Sequence, residues 1–270
     1  MPYYLVMTIW EAIVLGIVQG LTEFLPVSSS GHLVFFQNVL GIEGALSFDI
    51  IVHFATLVAV IAAMFEKVKK IILKPFSKPV LLLIISTVPA VLIALVFESF
   101  LKSSFGGQYL GWGFLVSAVF LTIGDLVRPK ESGQANLSVN IEDRVSVKDA
   151  LVMGIFQGIA VFPGVSRSGS TISSGLVIGL DRKTAAEYSF LMSIPIISGA
   201  VVFDIIDIGV VSSGIGAGPL IAGFVSALIS GCFAAKFMLK IIQKRNFWGF
   251  SIYLIIMSLL SFILLGSACH

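Results

Sequence analysis

The chain is patterned as long apolar stretches separated by short polar ones. Predominantly apolar runs fall at about 48–66, 79–98, 109–127, 184–207, 216–238 and 247–267. Each is long enough, at 1.5 Å per helical residue, to cross about 30 Å of hydrocarbon, so they predict six membrane-spanning helices. Two further apolar stretches, about 8–41 and 149–181, are interrupted near their middles by LPVSSSGH and FPGVSRSGST. Pro26 and Pro163 push the residue before them out of the helical region, and the Gly and Ser that follow supply a turn and N-cap groups for a second, short helix. Each of these stretches reads as a re-entrant helical hairpin rather than as one straight span.

The two interrupted stretches are copies of one another. At a constant offset of 138, Ala12 to His32 aligns without gaps on Ala150 to Ser170, and 11 of the 21 positions are identical. Matches of Ala, Val and Ile arise easily between apolar segments, but Gln-Gly and Ser-x-Ser-Gly in register do not, so the alignment marks a duplication. Repeat one covers about 8–127 and repeat two about 149–267, joined by a loop at 128–148, all within a single membrane domain of residues 1–270. Three spans, an odd number, separate the two copies, which therefore enter the membrane from opposite sides. The expected fold is an all-α integral membrane protein with an inverted-topology repeat, its broken helices meeting near the midplane.

Basic residues orient this arrangement. Lys67, Lys69, Lys70, Lys74 and Lys78 follow the first span, and Arg128, Lys130, Arg144 and Lys148 follow the third. Arg182 and Lys183 follow the second hairpin, and Lys236, Lys240, Lys244 and Arg245 lie between the last two spans. One topology puts all four groups, 15 of the 17 basic residues, in the cytoplasm. In it both termini lie outside, the first hairpin enters from outside, and the loop at 128–148 is cytoplasmic. The opening MPYYLVMTIW carries no positively charged n-region, so the first helix is expected to stay in the mature chain.

Composition agrees with a lipid-embedded chain: 57% hydrophobic, 12% charged, 22 Phe and a mean hydropathy of +1.04. Ordinary soluble domains carry roughly 45–50% apolar and about 25% charged residues. A net charge of +2 provides no basic field of the kind nucleic acids require, so nucleic acid is not an expected partner, whereas membrane lipids are. Cys232 and Cys269 lack the spacing of a disulfide framework or a zinc site.

Ionisable side chains at membrane depth are costly unless they pair, bind a ligand or line a wet cavity. Glu23, His32 and Arg167 stand out in this respect. Glu23 follows Gln19 by four residues, on the same helical face. If the two hairpin tips converge, one pocket holds a carboxylate, an imidazole, a guanidinium and the hydroxyls of Ser28, Ser29, Ser30, Ser166, Ser168 and Thr171. Two short-helix N-termini then point at it. That chemistry suits phosphate: amides and hydroxyls donate to its oxygens, Arg grips them, and Glu23 can hold a hard divalent cation, Mg²⁺ or Ca²⁺, that neutralises a diphosphate. A structural ion pair between Glu23 and Arg167 is the plainer alternative. His53 reads as a hydrogen-bonded packing residue, and Asp49, Asp125, Glu187 and Asp204 as groups near span ends that face water or cap helices.

Gln19-Gly20-Leu21-Thr22-Glu23 running on through Phe24-Leu25-Pro26-Val27-Ser28-Ser29-Ser30-Gly31-His32, together with Pro163-Gly164-Val165-Ser166-Arg167-Ser168-Gly169-Ser170-Thr171, resembles the two signature motifs of the bacterial undecaprenyl-diphosphate phosphatases. The resemblance extends over essentially the whole chain. It implies an inner-membrane enzyme, its site facing outward, that converts undecaprenyl diphosphate to the monophosphate carrier of cell-wall synthesis. It also implies resistance to bacitracin, which competes for that substrate. A homodimer is compatible with it. The family's first motif opens with Glu or Gln and closes with Glu, so Glu23 inherits the essential carboxylate and Gln19 replaces a second one. Residues and resemblance together suggest phosphoryl transfer with Ser29 as leading nucleophile, His32 as its general base and acid, and Arg167, Ser166, Ser168 and Thr171 holding the diphosphate. His32 as nucleophile, or a directly activated water, stays open. The competing reading is a transporter or flippase of a polyprenyl phosphate, since inverted repeats with broken helices recur in transporters. The offset pairs Glu23 with Val161, Ser29 with Arg167 and His32 with Ser170, and such non-equivalent halves favour a one-sided catalytic site.

Overall fold

The computed structural model describes residues 7–42, 45–104, 106–127, 144–208, 215–242 and 246–265. Among the described residues the chain is helical throughout, with no strand. The first half contains α1 (Ile9–Phe24), α2 (Ser29–Leu40), α3 (Leu46–Ala63), α4 (Phe65–Leu73), α5 (Lys78–Val96), α6 (Glu98–Ser104) and α7 (Leu110–Leu126). The second contains α8 (Val147–Ile159), α9 (Arg167–Val177), α10 (Arg182–Ile208), α11 (Ala217–Ile241) and α12 (Trp248–Leu264).

The helix boundaries repeat the sequence offset. Displaced by 138, α7 falls on α12 residue for residue, and the start of α2 falls on the start of α9. The starts of α1 and α8 use the same device at the same offset. Thr8 and Glu11 form a reciprocal capping box, and Ser146 and Asp149 form the other, each satisfying amides that a helix N-terminus leaves without partners.

Packing follows the offset as well. α1 lies along α11 and α8 lies along α5, partners that exchange under the displacement, while α7 packs on α12. The seams are built from glycine. A Cβ on Gly16 or Gly20 would stand 2.5 Å from a carbonyl oxygen of α11, and one on Gly154 would stand 2.6 Å from the Ser86 carbonyl of α5. Such contacts let backbones approach closely enough for dispersion to bind helices that have no hydrophobic drive to associate in lipid.

Four helices, α3, α5, α10 and α11, are long and apolar enough to cross a membrane, and α7 and α12 are apolar helices of 17 residues. Large apolar side chains such as Ile84, Val96, Ile206, Ile229 and Ile263 point outward from these helices, as lipid contact requires. The chain is a multi-pass membrane protein. The structure departs from the sequence expectation in detail. The first long helix ends at Ala63, and the Lys-rich segment after it forms the separate nine-residue amphipathic helix α4. A short helix, α6, occupies the connection after α5. Most of the expected cytoplasmic loop, residues 128–143, lies outside the described residues.

One acidic residue also needs correction, and two others gain partners. Asp125 does not face water: it is buried, pairs with Arg182 and accepts the Phe247 amide, tying the end of α7 to the starts of α10 and α12. The Arg182 guanidinium lies over the Phe247 ring, 4.9 Å from its centroid. Glu187 pairs with Lys67 of α4 at 2.5 Å, and Asp49 accepts the Gln37 amide of α2 at 2.6 Å. In each case an acidic group in an apolar protein takes a partner.

Candidate active site at the hairpin tips

Both hairpins turn over within a few residues. α1 ends at Phe24, Leu25 is extended, and Pro26 prevents the helix from continuing. Ser28 then caps α2, its hydroxyl accepting the Gly31 amide at 3.3 Å. Its backbone has φ +70°, unusual for a residue with a Cβ, and strain of this kind gathers at functional sites. The reward is visible locally: the Ser28 carbonyl accepts both the His32 amide, at 3.1 Å, and the His32 ring Nδ1, at 2.7 Å. In the second hairpin Ser166 caps α9 in the same way, accepting the Gly169 amide at 3.0 Å, and Gly164 supplies the turn with φ +86°.

The tips touch. The Ser168 hydroxyl donates to the Leu25 carbonyl at 2.9 Å, and a Cβ on Gly31 would lie 2.9 Å from the Gly164 Cα, so only glycine permits this approach. Ser117 of α7 supports the junction from behind, its hydroxyl accepting the Ser166 amide at 2.7 Å and donating to the Gly164 carbonyl at 3.1 Å.

Three of the expected catalytic residues meet at this junction. The Glu23 carboxylate accepts Arg167 Nη2 on Oε1 at 2.7 Å and Ser29 Oγ on Oε2 at 2.5 Å. Gln19 Nε2 donates to the same Oε2 at 3.1 Å, one helical turn earlier on α1. Arg167 Nη1 reaches the Ser189 carbonyl of α10 at 3.3 Å, which fixes the guanidinium between two elements. Glu23 and Arg167 are 6% and 14% exposed, so the charges attract each other with little screening by water. Ser29 and Ser30 are half-buried in the first turn of α2, where helix geometry leaves the leading amides without intrahelical acceptors. The geometry therefore gathers a carboxylate, a guanidinium and a hydroxyl beside two helix N-termini.

His32 lies elsewhere in the network. Because the Ser28 carbonyl can only accept, Nδ1 carries the ring hydrogen and Nε2 accepts the Tyr253 hydroxyl at 2.6 Å. The imidazole is 1% exposed, stacked on the Tyr253 ring at 5.5 Å and 9°, with the Phe114 edge against it at 5.2 Å. The expectation that His32 serves as base for Ser29 is thereby corrected: the Ser29 hydroxyl is engaged by Glu23, and the imidazole by Ser28 and Tyr253.

The hydroxyls of the second tip are corrected as well. Ser166, Ser168 and Thr171 are at most 1% exposed. Ser166 caps its helix, Ser168 holds Leu25, and Thr171 bonds the Arg167 carbonyl at 2.8 Å and Ser189 Oγ at 2.6 Å. They build the frame that holds Arg167 rather than lining a phosphate pocket, because in an apolar interior a hydroxyl is satisfied most readily by the nearest backbone carbonyl. Ser28 likewise is spent on its cap.

Tyr253 and Ser189 carry no sequence signal beyond a hydroxyl inside an apolar stretch, and reasoning from motifs misses both. His53 is hydrogen-bonded as expected, its Nδ1 donating to the Asp49 carbonyl at 2.7 Å.

Among the described residues no group of three His, Cys, Asp or Glu side chains forms a ready metal cage. The oxygen donors at Glu23 nonetheless fit a hard cation bound jointly with a phosphate. Three donors occupy a carboxylate that offers about four acceptor sites. The carbonyl oxygen of Gln19, on the amide adjoining Glu23, is buried without a hydrogen-bond partner.

The chain is similar to known proteins over nearly its whole length. Residues 12–260 match the model of the bacitracin resistance protein BacA family. The chain is 42% identical over 263 residues to the undecaprenyl-diphosphatase of Carboxydothermus hydrogenoformans, covering 96% of this chain and 98% of that protein. It is 41% identical over 288 residues to the undecaprenyl-diphosphatase of Methanobrevibacter smithii, covering 98% and 99%. With the undecaprenyl-diphosphatase of Christiangramia forsetii it shares 38% identity over 273 residues, covering 95% and 98%. The match takes in both hairpins and nearly all of every long helix, and the chain belongs to the BacA bacitracin-resistance family.

Proposed function

We propose that this chain is a phosphatase that hydrolyses undecaprenyl diphosphate to undecaprenyl phosphate and inorganic phosphate. It thereby recycles the lipid carrier of cell-wall synthesis and confers resistance to bacitracin, which sequesters the substrate. The observation that carries the reading at the level of chemistry is the junction of Glu23, Ser29 and Arg167 across the two hairpin tips.

The terminal phosphate sits against the first turns of α2 and α9, where the leading amides and the helix dipoles favour an anion. Arg167 turns toward its oxygens while Glu23 and the Ser189 carbonyl hold the guanidinium in orientation. Ser29 attacks the terminal phosphorus, its proton passing to Glu23 Oε2 along the existing hydrogen bond. Undecaprenyl phosphate leaves. Water then hydrolyses the phosphoserine, and Glu23 returns its proton to Ser29. Glu23 and the Gln19 carbonyl oxygen would hold Mg²⁺ or Ca²⁺, which supplies charge neutralisation for the diphosphate when bound. Positioning and charge account for most of the rate enhancement, as in other phosphoryl transfers.

In the membrane, α3, α5, α7, α10, α11 and α12 are the six spans, and α1–α2 and α8–α9 are re-entrant hairpins entering from opposite sides of the bacterial inner membrane. Support comes from the helix boundaries and packing partners that recur at the offset of 138, and from 15 of 17 basic residues falling on one side. The α1–α2 hairpin, which carries Ser29, enters from outside, so the site opens outward. An apolar groove of about 530 Å³ runs between α4, α5 and α10 and includes Leu191 and Pro195.

The test is inorganic phosphate release from undecaprenyl diphosphate by detergent-solubilised protein, with and without EDTA. Release that EDTA suppresses and Mg²⁺ or Ca²⁺ restores is expected. Absence of release under all conditions refutes the activity, and release indifferent to EDTA refutes the cation.

A further inference from the structure

We propose that Tyr253 is the hydroxyl through which protons reach and leave His32 during turnover. The inference rests on the phosphatase reading above. Buried at 1% exposure, the imidazole has one nitrogen bonded to the Ser28 carbonyl and the other to Tyr253, and Phe114 covers an edge. Tyr253 itself is 39% exposed. The accepting Nε2 is bonded to the phenol, so a chemical role for His32 is exercised through Tyr253.

Position and polarity both fit. Ser29 and His32 are three residues apart at the start of α2, on one helical face, so the Tyr253–His32 pair belongs to the same short helix start as the nucleophile. The hydrogen bond already runs from Tyr253 to a neutral, accepting Nε2. The half-reaction that lacks a base is hydrolysis of the phosphoserine, because Glu23 then holds the proton taken from Ser29. As water attacks phosphorus, one of its protons passes to Tyr253 Oη while the phenol's own proton passes to His32 Nε2. The P–Oγ bond breaks and Oγ recovers its proton from Glu23. The products are free Ser29, ionised Glu23, hydrogen phosphate and an imidazolium bonded at both nitrogens. The imidazolium returns its extra proton through the same phenol to the departing hydrogen phosphate, which restores the resting state. A purely structural hydroxyl would only satisfy the buried Nε2, and its loss would then be read in stability rather than in turnover.

Tyr253→Phe keeps the ring and removes only that oxygen. Phosphate release from undecaprenyl diphosphate in detergent is measured for the wild type, Tyr253→Phe, His32→Gln and the double variant, with melting curves on all four. Broken general-base relays cost about 10²–10⁴ in rate, so Tyr253→Phe should lower kcat by at least about 10-fold with KM nearly unchanged. His32→Gln should cause a comparable loss alone and little further loss in the Tyr253→Phe background. In mixtures of light and heavy water the wild-type rate should bend, with two protons in flight, and the Tyr253→Phe rate should fall linearly. A Tyr253→Phe enzyme of wild-type kcat overturns the relay, as does a His32→Gln loss that is the same factor in both backgrounds. A folded wild type that releases no phosphate instead removes the phosphatase reading on which the relay rests.

Discussion

Replacing Glu23 by Gln exchanges one carboxylate oxygen for an amide nitrogen and removes one charge at the point where the two hairpin tips meet. The carboxylate receives three donors, from Gln19 at 3.1 Å, Ser29 at 2.5 Å and Arg167 at 2.7 Å, on two oxygens. An amide has one oxygen to offer. If that oxygen faces Arg167, the NH₂ confronts the Ser29 hydroxyl and the Gln19 amide. If it faces Ser29, the guanidinium loses its anion at 14% exposure. The first arrangement is cheaper, and losing a charge-assisted bond while keeping a neutral one costs about 1.5–3 kcal/mol of stability. Catalysis suffers more, because the acceptor of the Ser29 proton is gone: loss of a general base costs about 10²–10⁴ in turnover, or about 2.7–5.4 kcal/mol in the barrier. Phosphate release by purified Glu23→Gln, alongside its melting curve, measures both. A folded variant with turnover within about 10-fold of wild type would refute the placement of Glu23 at the reacting centre.

Further consequences can be checked separately. Ser168→Ala loses the bond to the Leu25 carbonyl and should cost about 1–3 kcal/mol in a thermal or denaturant melt, with kcat reduced far less than in Glu23→Gln. A loss of kcat without loss of stability would return Ser168 to the phosphate. Gly31→Ala sets a Cβ 2.8 Å from the Phe114 ring and 2.9 Å from Gly164, both closely packed neighbours of the tips. It should destabilise by about 1–3 kcal/mol and lower turnover by separating Ser29 from Arg167; unchanged activity would show that the tips need not touch. Asp181 lies in the turn between α9 and α10. Burial opposes its charge, but the Thr184 hydroxyl and amide and the Arg144 guanidinium outweigh that and hold its carboxyl below the ordinary value of 3.8. Its contribution is present above 3.8 and is lost as pH falls toward the lower folded value. Asp181→Asn should lower the melting temperature slightly at pH 7, in keeping with a partly exposed pair worth about 0–1 kcal/mol, and the gap should close in acid. A gap that widens as pH falls would contradict the sign.

The hairpins are legible in the sequence because proline, glycine and serine interrupt apolar runs at the points where helices cannot continue, and because the offset of 138 repeats those interruptions. Glu23 and Arg167 are legible because charge at membrane depth demands a partner. What escapes is whatever depends on tertiary direction. Tyr253 is 221 residues from His32, and no periodicity connects α12 with α2. The serines of the second tip read as phosphate ligands from their clustering, yet the cluster is equally what a helix start crowded against a second backbone requires, and their burial assigns them to that task. Asp125 illustrates the same limit, since its position near a helix end says nothing of Arg182 and the Phe247 amide converging on it.

The central claim is that two hairpins, one carrying Glu23 and Ser29 and the other Arg167, form a single phosphatase site. A double-mutant cycle on phosphate release from undecaprenyl diphosphate tests it most directly, using Glu23→Gln, Arg167→Lys and the two combined. Lysine keeps the charge but cannot span both Glu23 and the Ser189 carbonyl while gripping phosphate, so Arg167→Lys alone should lose about 100-fold, equivalent to about 2.7 kcal/mol. If the residues act as one unit, the combined variant will be scarcely slower than the slower single variant. Losses that simply multiply, or an Arg167→Lys enzyme that is fully active but melts early, would show instead that the pair holds the hairpins together without taking part in the chemistry.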